Sequence, residues 1–146
     1  MVIGIFGESC TGKSTLAGAI SAHMPCEVIT GKDYLRLAKN ENIAKAMFQK
    51  KLVAAVTGEN VIYVIAEKEH LSLLPEGAKR ILVTAELEQI KSRFAARMHG
   101  NLPIPVAAML EKKHGMFDKE PHDIHVFSGK TDIASVVSQI MDNETA

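Results

Sequence analysis

The chain has 146 residues, 47% of them apolar, and its 17 basic and 17 acidic side chains cancel. That length fits one domain-sized core, here taken as residues 1–146. No run of like charges offers a landing surface to nucleic acid or to a membrane, and no apolar run approaches the ~20 residues that cross a bilayer.

Cys10 and Cys26 are too few for a disulfide framework and fit no metal-ligand spacing, and the opening "MVIGIF" is too short for a signal-peptide core. A soluble, cytoplasmic protein with reduced thiols is expected. In chain order, strand-length apolar runs alternate with segments of helical period, the pattern of a parallel sheet covered by helices on both faces, a three-layer α/β/α architecture. The predicted strands are Val2 to Phe6, Glu27 to Thr30, Val61 to Ala66, Arg80 to Thr84 and Ile124 to Phe127.

The first strand runs into "GESCTGKST", residues 7 to 15, where Gly7, Gly12, Lys13 and Ser14 match G-x-x-x-x-G-K-[ST] without a gap. An apolar strand enters the loop, and a helix marked by Leu16, Ile20 and Met24 leaves it, which is the context this motif needs. The glycines let backbone N–H groups from Cys10, Thr11 and Gly12 turn inward around phosphate oxygens, and the helix N-terminus adds its positive dipole end. Lys13 is placed to reach the terminal phosphates, the Ser14 hydroxyl to ligate Mg²⁺, and Thr15 to donate to a neighbouring phosphate. Glu8 puts a negative charge beside this cradle, so its side chain must point away from the phosphates or toward an acceptor.

After the second strand comes "ITGKDYLRLA". Asp33 follows a strand whose carboxyl end should lie beside the phosphate loop, because open parallel sheets gather ligands there. A carboxylate in that place can orient an attacking hydroxyl or help hold Mg²⁺, and Asp is also a favoured N-cap for a helix starting at Tyr34. Ala44, Phe48, Leu52 and Val56 mark the next helix, with Gly58 where a helix end favours glycine. The third strand ends at Ala66 and Glu67.

Leu87, Ile90, Phe94 and Met98 mark a further helix that carries Arg93 and Arg97 on one side. Like charges four apart repel by a few tenths of a kcal/mol, so an anion is expected to meet the pair. Residues 98–115 leave the sheet as a short excursion, with Pro105 suited to a first helical turn and Gly115 to its end. A second "GKT", Gly129 to Thr131, lacks the upstream glycine of a phosphate loop and reads as the turn into the last helix, with Thr131 as its N-cap. "HDIH", at His122 to His125, has the wrong spacing for two ligands on one helical face.

Neither the Asn-Lys-x-Asp nor the Asp-x-x-Gly of a GTPase switch is present. With "GESCTGKST", "ITGKDYLRLA" and "RFAAR" in this order, the chain resembles the small phosphate-loop (P-loop) kinases that include nucleoside monophosphate kinases, adenylate-kinase-like enzymes and shikimate kinase. The resemblance implies a P-loop NTPase fold, ATP and Mg²⁺ as cofactors, a small-molecule acceptor as partner, and a monomer or homodimer. It implies that Asp33 binds or deprotonates the acceptor hydroxyl, that Arg36 grips the acceptor, and that Arg93 and Arg97 enter a lid over about 98–115, one near the nucleotide base and the other on the transferring phosphoryl group. Where such kinases end the third strand in an aspartate that orients Mg²⁺, this chain has Ala66 and Glu67. Either Glu67 substitutes with a longer reach, or Asp33 is the main acidic partner of Ser14, or transfer is weak. The alternative functions are a nucleotide-binding regulatory protein and an ATPase without a small-molecule acceptor.

Overall fold

The computed structural model describes residues 1–145. Five strands, β1 (Val2–Phe6), β2 (Glu27–Thr30), β3 (Val61–Ile65), β4 (Lys79–Thr84) and β5 (Ile124–Phe127), form one parallel sheet in the order β2-β3-β1-β4-β5. The central strands are sealed on both faces, which is why they read as unbroken apolar runs rather than as alternating ones: all five residues of β1 and all five of β3 are buried. The third strand stops at Ile65, one residue short of the predicted end, because its ladder with β1 closes with Phe6 opposite Ile65.

Alternation along β1 sorts its side chains between two cores. Ile3 and Ile5 pack with Leu16 and Ile20 of α1 (Lys13–His23) and with Val136, Val137 and Ile140 of α5 (Ile133–Thr145). Val2 and Phe6 pack on the other side with Phe48 and Leu52 of α2 (Glu41–Ala55) and with Tyr34, Leu71 and Leu73 from two 3₁₀ helices, Asp33–Leu37 and Lys68–Leu73. Each such side chain contributes about 1.5–3 kcal/mol on full burial. A helical layer therefore covers each face, and among the described residues no helix is long and apolar enough to cross a membrane.

Two helix ends differ from their expected signals. Asp132 rather than Thr131 precedes the first turn of α5, and its carboxylate accepts from the N–H of Ala134 at 3.2 Å. The Thr131 hydroxyl is occupied by the N–H of Phe127 at 2.8 Å, which closes the turn before the helix. At the end of α2, Gly58 is not in the left-handed region; its N–H closes a tight turn on the carbonyl of Ala55 at 3.1 Å. Asp33, considered as an N-cap, makes no capping bond, since the residue preceding its 3₁₀ helix is Lys32.

The segment after β4 forms α3 (Leu87–Arg97) and α4 (Ile104–Lys113). The two helices close over a small apolar cluster of Ile90, Leu110 and Ala85, with Cys10 of the phosphate loop in the same cluster. Lys91 of α3 hydrogen-bonds Glu111 of α4, and that bond raises the lysine's pKa. Residues 98–115 are thus packed on α3 and on the loop itself, which gives the excursion a definite seat.

Candidate functional site

The loop from Gly7 to Gly12 sits at the carboxyl end of the central strand β1, where the flanking strands leave a crevice. Its glycines answer to geometry. A Cβ on Gly7 would lie 2.2 Å from the carbonyl oxygen of Val83, so no larger residue fits against β4. Gly12 holds φ at +101° as it caps α1, a conformation that L side chains resist. Cys10 accepts a left-handed φ of +64° without being glycine, which costs of order 1 kcal/mol and is held in place by its neighbours.

Arg93 supplies that hold. From α3 it donates Nη1 to the carbonyl of Cys10 at 2.9 Å and Nη2 to the hydroxyl of Ser128 at 2.9 Å. One guanidinium thus spans the phosphate loop and the turn after β5. Lys13 is 7% exposed and donates Nζ to the carbonyl of Glu8 at 2.6 Å, across the mouth of the loop. Burial is the main force lowering its pKa to about 8; Arg97 lowers it further, while the Cys10 and Glu8 side chains oppose the shift. The Thr11 hydroxyl donates to the same Glu8 carbonyl at 2.9 Å, so the loop is braced from within.

Two hollows meet at this loop. The larger, about 430 Å³, opens between α3 and the β5–α5 turn and is lined by Thr11, Arg93, Ala96, Ser128, Gly129 and Thr131 among others. That volume lies in the range of small-ligand sites. The smaller, about 250 Å³, opens toward the ends of β2 and β3, past Ser9, Lys13, Ser14, Thr30, Gly31 and Ala66. Both are walled by Cys10, Gly12, Thr15 and Arg97, so the loop forms the partition and Arg97 stands over it. The rim at β2 is firm: the Tyr63 hydroxyl donates to the carbonyl of Gly31 at 2.8 Å, the Gly31 N–H donates to Val64 at 2.9 Å, and burial raises the phenol's pKa.

Gly7, Cys10, Thr11, Gly12, Lys13, Ser14, Thr15, Arg93 and Arg97 therefore come together around one loop. Asp33, Arg36 and Glu67 do not line either hollow of that loop. Asp33 turns back to accept the N–H of Thr30 at 3.2 Å and, with Arg36, lines a separate depression beside the outer edge of β2. The Asp33–Arg36 pair is 4.0 Å apart and largely exposed, a weak contact that solvent screens. Glu67 is exposed beyond the end of β3, and a hydrogen bond with Glu69 lowers its pKa, with His70, Lys32 and Lys113 acting in the same direction.

Two features of the site escaped sequence reasoning. The Ser128–Thr131 turn is a wall of the larger hollow, although the sequence read it as a connection only. Glu8, 8% exposed, resolves the problem of its charge by pointing behind the loop, where its two oxygens meet Nδ1 of His114 at 3.1 Å and the N–H of Gly115 at 3.2 Å. Neither relationship has a local signal, since each joins residues far apart in the chain.

No family model matches the sequence, and no curated protein matches it. Solved structures do match in fold over nearly the whole chain. An uncharacterized protein from Eubacterium ventriosum superposes with a TM-score of 0.69 at 16% identity, over 98% of this chain and 97% of the other. A shikimate kinase from Acinetobacter baumannii, in complex with shikimate, gives 0.64 at 10% identity, over 99% and 92%. A gluconokinase from Sinorhizobium meliloti gives 0.61 at 14% identity, over 99% and 95%. With the parallel order β2-β3-β1-β4-β5 and the loop at the end of β1, these likenesses show that the chain has the three-layer P-loop kinase-like fold.

Proposed function

We propose that the protein is a phosphotransferase that moves the γ-phosphoryl group of ATP to a small acceptor. The observation that carries this reading is the pair of hollows on the two sides of one phosphate loop, with Arg97 over their junction. Hydrolysis or nucleotide-dependent regulation needs room for one ligand. Transfer needs two, brought end to end, because most of its catalysis is alignment and charge stabilisation.

In this reading the nucleoside occupies the larger hollow, between Arg93 and the Ser128–Thr131 turn. Lys13 and the loop N–H groups bind the phosphates, and Lys13 exchanges its bond to the Glu8 carbonyl for a phosphate oxygen. The Ser14 hydroxyl lines the smaller hollow while no carboxylate does, so Ser14 and water would hold a Mg²⁺ that arrives with the phosphates, in keeping with the reluctance of that ion to shed water. Arg97 neutralises charge on the group in transit. The acceptor enters the smaller hollow from the β2 side, past Thr30 and Gly31. Asp33 and Arg36 lie outside that hollow and would meet the acceptor's hydroxyl and anionic end only after Asp33 releases the Thr30 N–H and the Asp33–Leu37 turn swings inward. Acceptor candidates are nucleoside monophosphates and small hydroxyl-bearing metabolites; the solved relatives named shikimate kinase and gluconokinase favour the latter.

The test is ADP formation from ATP with a panel of both acceptor classes. Turnover should depend on one acceptor class and vanish in Lys13→Ala with the fold retained by circular dichroism. ADP release that no acceptor stimulates would support the ATPase alternative instead.

A further inference from the structure

The chain leaving β3 carries a polar cluster that the phosphate loop does not use. Glu67 precedes the 3₁₀ helix Lys68–Leu73, Glu69 lies in its first turn and His70 in its last. One ligand atom from each of Glu67, Glu69 and His70 falls within 4.8 Å of the other two. Both carboxylates are exposed, and the lysine between them is engaged elsewhere, with Lys68 Nζ 3.2 Å from Glu120.

Exposed acidic pairs are common and by themselves require no ligand. His70 makes this one different. It is 4% exposed, its ring is packed edge-on to Tyr34 at 6.1 Å between centroids and tilted against Tyr63 at 6.4 Å, and Nδ1 has no hydrogen-bond partner. A buried polar group left in that state is destabilising, and native proteins rarely leave one. The flanking rings prevent the imidazole from swinging out to solvent. One ring nitrogen of this packed histidine therefore lies within 4.8 Å of two exposed carboxylates, which hydrogen-bond each other.

Two carboxylate oxygens and one imidazole nitrogen suit a borderline divalent ion of the first transition row better than Mg²⁺ or Ca²⁺, which favour oxygen alone. Ligands about 2.0–2.2 Å from a Zn²⁺ centre stand roughly 3.4 Å from one another in a tetrahedral site. The ligand atoms now lie within 4.8 Å of one another, and two of the three belong to exposed glutamates. We propose that Glu67, Glu69 and His70 bind one divalent transition-metal ion such as Zn²⁺, apart from any Mg²⁺ that accompanies a nucleotide. Glu67 directly follows Ala66, a wall of the smaller hollow, but neither it nor Glu69 nor His70 lines that hollow, so the ion's site is separate from it.

Metal-stripped full-length protein, titrated calorimetrically with Zn²⁺ in the absence of nucleotide, tests this independently of any kinase activity. The expected result is one equivalent bound, with affinity reduced at least about tenfold in Glu69→Gln and in His70→Asn. Because His70 is buried, the exposed change Glu69→Gln decides the matter if His70→Asn fails to fold. Superimposable titrations of wild type and Glu69→Gln would overturn the proposal, since the remaining histidines would then be taking the metal, and so would an absence of binding.

Discussion

Glu8 and His114 stand 106 residues apart in sequence and 3.1 Å apart in space, joining the phosphate loop to the C-terminal end of α4. The second oxygen of Glu8 takes the N–H of Gly115, so one buried carboxylate fixes both the loop and the C-terminal end of α4. Glu8→Ala leaves the Gly115 N–H and the His114 ring without that partner, at a cost of about 1–3 kcal/mol. Chemical denaturation should show that loss, and hydrogen exchange should accelerate across residues 104–118 more than in α1 or α2. Unchanged exchange in α4 would mean that the packing of Leu110 alone holds this helix in place.

The pKa of Lys13 makes a prediction with a definite sign. Its folded value, about 8, lies below the ordinary 10.5, so the folded state releases this proton more readily than the unfolded state. Burying the charged ammonium therefore costs stability at every pH below about 8, and the cost is relieved as pH rises from 8 to 10.5, by up to about 3 kcal/mol at 1.36 kcal/mol per unit. Unliganded wild type should gain stability across this interval relative to Lys13→Met. Polyphosphate affinity should move the other way, weakening as pH climbs through 8, because only the ammonium form attracts the phosphates. Titration calorimetry at pH 7.5 and 9 checks this; an affinity that is flat in wild type over that range would remove Lys13 from the phosphate-binding role.

How far such features can be read without coordinates depends on the distance over which each is specified. The strands are written locally, because residues such as Val61 to Ile65 are sealed on both faces and have no polar positions to interrupt the run. The loop is legible as well, although only Gly12 is demanded from within the motif, by its positive φ; Gly7 is demanded by the backbone of Val83 in β4. Asp33 shows the limit. Its place after β2 is legible, but the direction of its side chain is set by the turn at Gly31 and by the Thr30 N–H, and it faces the outer edge rather than the cleft. The Glu8–Gly115 bond and the Arg93–Ser128 bond join elements 107 and 35 residues apart, and no periodicity or spacing encodes such pairs.

Arg93 and Arg97, expected from their spacing to share one anion, have different surroundings, and their substitutions should separate accordingly. Arg93 already satisfies the Cys10 carbonyl and the Ser128 hydroxyl, so it acts first on the shape of the loop and on the wall of the larger hollow. Arg93→Ala should lower stability by about 1–3 kcal/mol and weaken nucleotide binding roughly tenfold or more, because a strained Cys10 and the turn after β5 both lose their tether. Arg97 lines both hollows, and its charge is felt at Lys13. Arg97→Ala should leave the melting temperature nearly unchanged and lower kcat by about 10³, the scale on which an arginine at a transferring phosphoryl group acts. Equal losses of stability in both variants, with nucleotide affinity intact, would show the pair to be structural and would take Arg97 out of the transfer step.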